Sequence, residues 1–444
     1  MKRLMLVCVL FLSVIIACAA SESESNTYDT WFAALGENGL YGYINRQGQW
    51  MIEPQYVLAD LYFTGEYIRV GMDEPSVGKQ QGVIDRLGNW VLPPEYRLYA
   101  MDYMGEKGEP GEGLLVVTPS GSCLPQGYFD LDSGYFSGLK WHSIFPRYTD
   151  SSLIAVFPGE ESSAGYVDRQ NGALVLPDIY ASADPKLFHE GVVLTAYEDW
   201  EQYENCYSDF FLMDETGRII PFPDGIVGEE GDVSCGRVPV RNQDGLIGFA
   251  DLQGNMLIEP QYAFSWGFAE DRDVVVFPEG DSGVIDLYGN ILIRGFSHVD
   301  SPWYQNGIIT AEKDGEYACY GLDGQRIDTL PPYCMAVEND LYWSPVTGTG
   351  YNVVWCLMDH DGHQLSVPCR LTYHAEEYRQ FFSDGLQPVG NDKGKCGYIN
   401  TQGAIAIDFI YDRAEPFFDG MALVEMHGHK AWIDGDGTVV WEEE

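Results

Sequence analysis

Two stretches, Asp359-His360-Asp361-Gly362 and Asp434-Gly435-Asp436-Gly437, carry the D-x-D-G opening of a calcium-binding loop. A complete EF-hand loop needs further oxygen ligands, a bidentate Glu at its twelfth position and a helix on each side. Neither stretch has flanking helices. Each sits on the turn of a recurring hairpin, where an Asp that bonds to the turn backbone accounts for it without a metal. Cys356, His360, His363 and Cys369 offer zinc-type donors, at a spacing that fits no standard zinc site. Gly280-Asp281-Ser282-Gly283 has the form of a nucleophilic-serine loop, yet it coincides with the start of a repeat unit, which explains it. There is no G-x-S-x-G, no H-E-x-x-H and no P-loop in the chain. A pair of glycosidase carboxylates is defined by separation in space and cannot be read from spacing along a chain this rich in acids. No residue is assigned as catalytic, and no metal or cofactor is expected.

Recognition chemistry is better represented. Aromatic residues make up 14% of the chain. Most are needed between packed elements, but Trp266, Trp303 and Tyr304 fall in connections between units, where packing demands them less. Aromatic faces beside Asp, Asn and Gln suit a sugar ring or an extended peptide. These three are the candidate ligand-binding aromatics.

The elements that would hold these side chains are copies of one stretch. Gly42 to Tyr56 reads GYINRQGQWMIEPQY, Gly248 to Tyr262 reads GFADLQGNMLIEPQY, and Gly397 to Tyr411 reads GYINTQGAIAIDFIY. Taken as a small residue, two mostly apolar residues, Asp or Asn, two variable residues and Gly, the unit starts at Gly42, Gly82, Gly127, Gly165, Phe211, Gly248, Gly283, Ala318, Cys356, Gly397 and Ala431. That is eleven copies at spacings of 34 to 46 residues, the range of propeller and solenoid repeats. The fourth position is Asn45, Asp85, Asp130, Asp168, Asp214, Asp251, Asp286, Asp359, Asn400 and Asp434, with Gly321 as the one exception. These ten residues are expected to cap the turn of a β-hairpin, whose Gly supplies positive φ. Period-two alternation follows, as in Trp50-Met51-Ile52-Glu53-Pro54, and an apolar run such as Asp273 to Phe277 precedes the unit. Each repeat therefore reads as a three-stranded antiparallel meander.

The pairing of G-Y-I-D-x-x-G with a later F-x-x-G-hydrophobic-A-x-V, visible in PFFDGMALVEM from Pro416 and LFHEGVVLTAY from Leu187, resembles the bacterial WG-repeat family. The resemblance spans nearly all of the chain after its N-terminal segment. One departure stands out: the family's Trp before the Gly is here Tyr41, Gln81, Gln126, Ala164, Ile247, Ser282 or Cys396. The resemblance implies scaffolding or recognition and brings no catalytic residues with it.

The N-terminus has a different character. Lys2 and Arg3 precede an apolar run from Leu4 to Ala17, the order of a secretory signal and too short to span a bilayer. The run ends Ile15-Ile16-Ala17-Cys18, which resembles a bacterial lipobox and makes Cys18 the expected lipidation site. Residues 1–17 are the expected signal peptide, 18–27 a lipidated Cys and flexible tether, and 28–444 the repeat array. Eight cysteines remain in the array, and Cys319, Cys356 and Cys396 fall near one position in three successive copies, where neighbours could meet. A net charge of −43 disfavours nucleic acid as a partner and keeps a long β array soluble.

The expected fold is all-β, eleven tandem three-stranded units arranged as propeller-like blades, with an open twisted β-solenoid as the alternative. No strand is visibly held over at either end for pairing with the other. The expected function is that of a non-catalytic envelope lipoprotein that binds an extracytoplasmic protein or glycan through its repeat face. The alternative is an envelope polysaccharide or peptide hydrolase on the same scaffold.

Overall fold

The computed structural model describes residues 28–72, 80–100, 113–145, 151–160, 164–180, 188–195, 210–269, 271–299, 308–321, 323–337, 341–347, 353–371 and 382–443. The signal segment, Cys18, the tether, Trp303 and Tyr304 lie outside the described residues. Every regular element among the described residues is a β-strand. All eleven units are present, and each is an antiparallel meander.

The units carry more strands than the sequence indicates. Six of them form separate four-stranded sheets, as in Arg413–Ala414, Met421–Met426, His429–Asp434 and Val439–Glu442 of unit 11. The unexpected member is the first strand, which in unit 11 has two residues, too few to show an alternation. Unit 1 takes its equivalent from further along the chain, where Tyr62–Phe63 pairs with Trp31–Leu35. Units 2 and 3 merge into one seven-stranded sheet because the strand Trp90–Ala100 serves as the last strand of one and the first of the next. Among the described residues, units 5, 8 and 9 have three strands.

What admits the bulged fourth strand is the Gly that opens the unit. In unit 1 the pairs Tyr41↔Tyr56 and Tyr43↔Ile52 set four residues of the fourth strand against two of the third, so Glu53, Pro54 and Gln55 bulge outward. The bulge brings the Ile52 carbonyl directly over Gly42, where a Cβ would lie 2.4 Å from the oxygen. The same approach recurs at Gly82, Gly127, Gly248, Gly283 and Gly397, at 2.3 to 2.6 Å. No Cβ fits there. Where the position holds Phe211, the fourth strand is cut to Ile219–Ile220, and where it holds Ala318 or Cys356 the sheet has no fourth strand. Ala431 keeps a fourth strand that avoids the crossing, pairing directly as Ala431↔Glu442 and Trp432↔Trp441.

Neighbouring sheets pack face to face. The buried apolar residues fall into eleven clusters, and each cluster joins two neighbouring units. An open row of eleven units has ten such junctions. The eleventh joins unit 11 to unit 1: Phe32, Ala34 and Ile44 pack against Met421 and Trp432. The Phe32 and Trp432 rings lie 4.9 Å apart, and Trp432 Nε1 donates to the Ala33 carbonyl at 2.8 Å. Arg46 of unit 1 pairs with Asp419 of unit 11. The turn glycines show that this joint is an ordinary one. Gly254 of unit 6 places its ideal Cβ 2.4 Å from the Pro221 carbonyl of unit 5, and Gly48 of unit 1 places its own 2.6 Å from Val440 of unit 11. The array is thus a single closed, propeller-like ring of eleven, larger than the 4 to 8 blades usual for propellers. It closes by packing, and among the described residues no strand is exchanged between the ends.

The second half of the repeat motif supplies the junctions. Phe188, Phe268 and Phe417 precede tight turns and pack edge to face on the aromatic two residues into the third strand of the previous unit. The pairs are Tyr166–Phe188, Phe249–Phe268 and Tyr398–Phe417, with centroids 5.1, 4.8 and 4.9 Å apart. The turns at Glu190-Gly191, Cys235-Gly236, Asp384-Gly385 and Asp419-Gly420 have positive φ at both central residues, the type I′ form that suits hairpins. Some of them also connect in series. The carboxylate of Glu190 accepts from Gly236 N–H, and that of Asp384 from Gly420 N–H, both at 2.7 Å.

Gly248→Ala is expected to cost about 1–3 kcal/mol, the range of an overpacked site. Gly65→Ala, where a Cβ meets nothing within 4 Å, is the control and should be close to neutral. Urea unfolding midpoints of the two variants test this, and equal midpoints would remove the crossing as the reason for the glycine.

Candidate functional site

The ten turn residues are consumed by their own turns. In nine of them the side-chain oxygen accepts from the backbone N–H two residues on, as from Gln47 to Asn45, Leu87 to Asp85, Asp132 to Asp130 and Gln170 to Asp168. The others are Thr216 to Asp214, Gln253 to Asp251, Tyr288 to Asp286, Gln402 to Asn400 and Asp436 to Asp434. Asp359 accepts from His363 N–H, four residues on, at 2.8 Å. In unit 8, where Gly321 replaces the acid, Asp323 takes over and accepts from Gln325 N–H at 2.9 Å. The Thr216 hydroxyl leads in keeping the Asp214 carboxyl down at about 2.

The metal candidates separate. Cys356 and Cys369 are buried, whereas His360 and His363 are exposed, so these four do not form a zinc set. The His360 ring lies 3.4 Å from the Tyr342 hydroxyl. Asp359, Asp361 and His363 do bring donor atoms within 4.8 Å of one another. The His363 ring, however, is paired with Asp359 at 3.0 Å, and Asp359 is also the turn cap. Gly280 to Gly283 is the hairpin between the second and third strands of unit 7: Phe277 N–H donates to Asp281 O, and Ser282 pairs with Phe296. The proposed stack of Cys319, Cys356 and Cys396 is not formed either. Cys319 hydrogen-bonds Cys334 instead, and Cys396 Sγ approaches the Asp412 carbonyl at 3.8 Å.

The position before the opening Gly, where the related repeats carry Trp, reaches the first strand of the following unit. Gln81 Oε1 accepts from Leu98 N–H at 2.8 Å, and Gln126 Oε1 from Ile144 N–H at 3.0 Å. A buried amide here replaces an aromatic contact with a backbone hydrogen bond.

Of the three candidate aromatics, Trp266 is the one described, and it is available. It is 44% exposed and stands beside Phe264, 47% exposed, with ring centroids 4.3 Å apart in an edge-to-face pair. Phe264 opens the short first strand of unit 7, Phe264–Ser265, and Trp266 follows it. Ser265 between them donates to Asp273 Oδ2 at 2.6 Å and accepts from Gly267 N–H at 3.0 Å. Asp273 is fully buried, and its Oδ1 has no hydrogen-bond partner. Burial pushes the Asp273 carboxyl up to about 7, against the hydrogen bond from Ser265. Asp273 is missed by reading motifs. The available signal is that it stands inside an apolar run, Asp273-Val274-Val275-Val276, where most other units place Phe, Ile, Leu or Val.

Comparison with known families places the repeat. Residues 41–74, 82–97, 247–273 and 397–428 match the family described as WG containing repeat. These four stretches of the chain are thus WG-containing repeats. No curated protein matches it. Among solved structures, the computationally designed Ika8 protein is 12% identical at a TM-score of 0.30, with 74% of this chain and 93% of that chain covered. BamB from Moraxella catarrhalis is 12% identical at 0.27, with 74% and 90% covered. A eukaryotic initiation factor is 11% identical at 0.37, with 76% and 95% covered. At such scores the architecture rests on the sheets and junctions described above.

Asp273 has a definite pH signature. Its folded pKa, about 7, lies above the ordinary 3.8, so the folded state holds the proton more tightly than the unfolded chain. The stability this contributes is present in full below 3.8 and is lost as pH rises toward 7. Asp273→Asn should therefore raise the urea midpoint at about pH 8, with the gain shrinking toward about pH 4. A gain that does not change with pH would contradict a buried, protonatable Asp273.

Proposed function

We propose that this protein is a non-catalytic, exported lipoprotein whose ring of WG-containing repeats binds an extracytoplasmic protein or glycan. The observation that carries the reading is the contrast between its side chains. The repeated acids and the motif aromatics are used in turns and junctions, while Phe264 and Trp266 present an exposed pair of rings that no junction among the described residues uses. An aromatic face of this kind takes the apolar side of a sugar ring or an extended peptide. Export and anchoring are supported by the charged-then-apolar N-terminus ending at Cys18. A diacylated Cys with an amide-linked chain would hold the protein on a membrane, since two or more chains anchor where one does not. The net charge of −43 favours basic proteins and neutral glycans over nucleic acid.

The test is binding of residues 28–444 to arrayed glycans and envelope proteins, with calcium and with chelator. Saturable binding weakened about tenfold or more by Trp266→Ala is expected, the loss of a modest hot spot. Binding that ignores Trp266, or release of product from a bound glycan, would sink the recognition reading. The anchor is tested separately on the full chain. Labelled fatty acid should enter the parent in a bacterial host and fail to enter Cys18→Ser; equal labelling would remove Cys18 as the lipid site.

A further inference from the structure

Units 8 and 9 are the consecutive pair without a fourth strand, and two buried thiols stand at their junction. Cys319 lies on Glu316–Gly321, the third strand of unit 8, and Cys334 immediately precedes Met335–Ala336, the first strand of unit 9. Neither has any exposed surface, and both belong to one cluster with Ile308, Leu330 and Tyr342. Cys319 Sγ donates to the Pro331 carbonyl at 2.9 Å, and the two thiols hydrogen-bond each other.

The backbone is bent to make this contact. Tyr333, next to Cys334, has φ of +65°, a left-handed conformation that is costly for a bulky residue. It is held there on two sides. Tyr333 N–H donates to Thr310 Oγ1 at 3.0 Å, and its ring lies 5.4 Å from that of Tyr317. Thr310 is the residue paired with Cys319 across the strands, so the anchor of Tyr333 and the partner thiol share one rung of the sheet. The strained turn therefore delivers Cys334 to Cys319.

We propose that Cys319 and Cys334 form a disulfide that staples unit 8 to unit 9. The bond spans a junction whose outer support is missing, because Ala318 stands where other units have the Gly that admits a fourth strand. Cross-linking residues fifteen apart restricts the unfolded chain and ties the return segment, residues 326–334, to the sheet it covers. A metal is the other use of paired thiols. Among the described residues the one group of three metal-type donors is Asp359, Asp361 and His363, which does not include either cysteine.

The step is a thiol–disulfide exchange with a disulfide oxidant. The Cys319 thiolate attacks one sulfur of the oxidant, forming a mixed disulfide and expelling the other sulfur as a thiolate. The Cys334 thiolate then attacks the Cys319 sulfur and expels the second thiolate. The two thiols lose two protons and two electrons, and the oxidant disulfide is reduced to two thiols. Both sulfurs are buried in the finished fold, so the exchange takes place as the chain folds.

The test uses the full chain, refolded from urea in a mixture of oxidised and reduced glutathione. The refolded protein is unfolded without reductant, blocked with N-ethylmaleimide and cleaved after Lys, Arg and Glu, so that Glu338 separates Cys334 from Cys356. The expected product is the peptide Tyr317 to Arg326 joined to Ile327 to Glu338, lighter than the sum of the reduced peptides by two hydrogen atoms. It disappears on reduction and is absent from Cys334→Ser. The refolded protein should also unfold at higher urea than the same sample after reduction. Recovery of Cys319 and Cys334 both alkylated would overturn the proposal, and so would either one joined to Cys356, Cys369 or Cys396. The peptide map is read on the native sequence, so it stands even where Cys334→Ser fails to fold.

Discussion

A backbone carbonyl lying over a missing side chain is the contact on which this ring depends. At Gly42, Gly82, Gly248, Gly283 and Gly397 the fourth strand crosses the third so closely that no Cβ fits beneath it. The crossing is what lets one strand bulge by two residues and still return to register at the aromatic that ends it, as at Tyr41↔Tyr56. It also turns the chain toward the next sheet, because the following unit's first strand starts after a single residue, Val57 after Tyr56 and Ala263 after Tyr262. The Glu-Pro-Gln bulge has a second effect. Pro lacks a donor, and a bulged outer strand is a poor template for pairing with another chain. The same geometry that admits the strand protects the edge it creates.

Closure follows from uniform junctions. Several units present an aromatic on the third strand to a Phe of the next, and turn glycines such as Gly48, Gly254, Gly324, Gly362 and Gly403 settle on the backbone of the unit before. When every junction repeats one relative placement, the number of units that fit a circle is set by that placement and not by contacts between the ends. Trp432 against Phe32 and Gly48 against Val440 are therefore the same devices used at the other joints. Arg46 with Asp419 adds an ion pair where the ladder of turns runs out of a next glycine. A ring closed in this way carries its charge evenly. Asp stands at the turn position in eight of the eleven units, so part of the acidic balance is built into the repeat.

The sequence exposes those parts of the structure that recur. The turn acids, the positive-φ glycines and the strand runs are visible because eleven copies repeat them. The first strand is not, since two residues such as Arg413 and Ala414 carry no period. The role of the opening Gly was also hidden. Its small size is plain, but the carbonyl that requires it comes from a strand whose bulge does not show in the alternation of Trp50 to Pro54. The cysteines were misplaced for a related reason. Equivalent positions in successive units suggested a stack, whereas Cys319 finds its partner through a left-handed turn at Tyr333, which no pattern announces.

Trp266 and Phe268 show how structural and available aromatics differ. They are two residues apart in the same connection, and in composition they are equivalent. Phe268 is 2% exposed and meets Phe249 of the previous unit, so its removal would open a junction. Trp266 is 44% exposed, and its ring partner Phe264 is equally open to solvent. Beneath them, Ser265 ties the strand to a buried acid that most other units replace with an apolar residue. Unit 7 gives up apolar packing at Asp273, and a fold that needed only stability would have no use for that substitution. The departure from the repeat and the exposed rings fall in the same unit. It is this coincidence, more than aromatic content in general, that singles out unit 7 within an otherwise uniform ring.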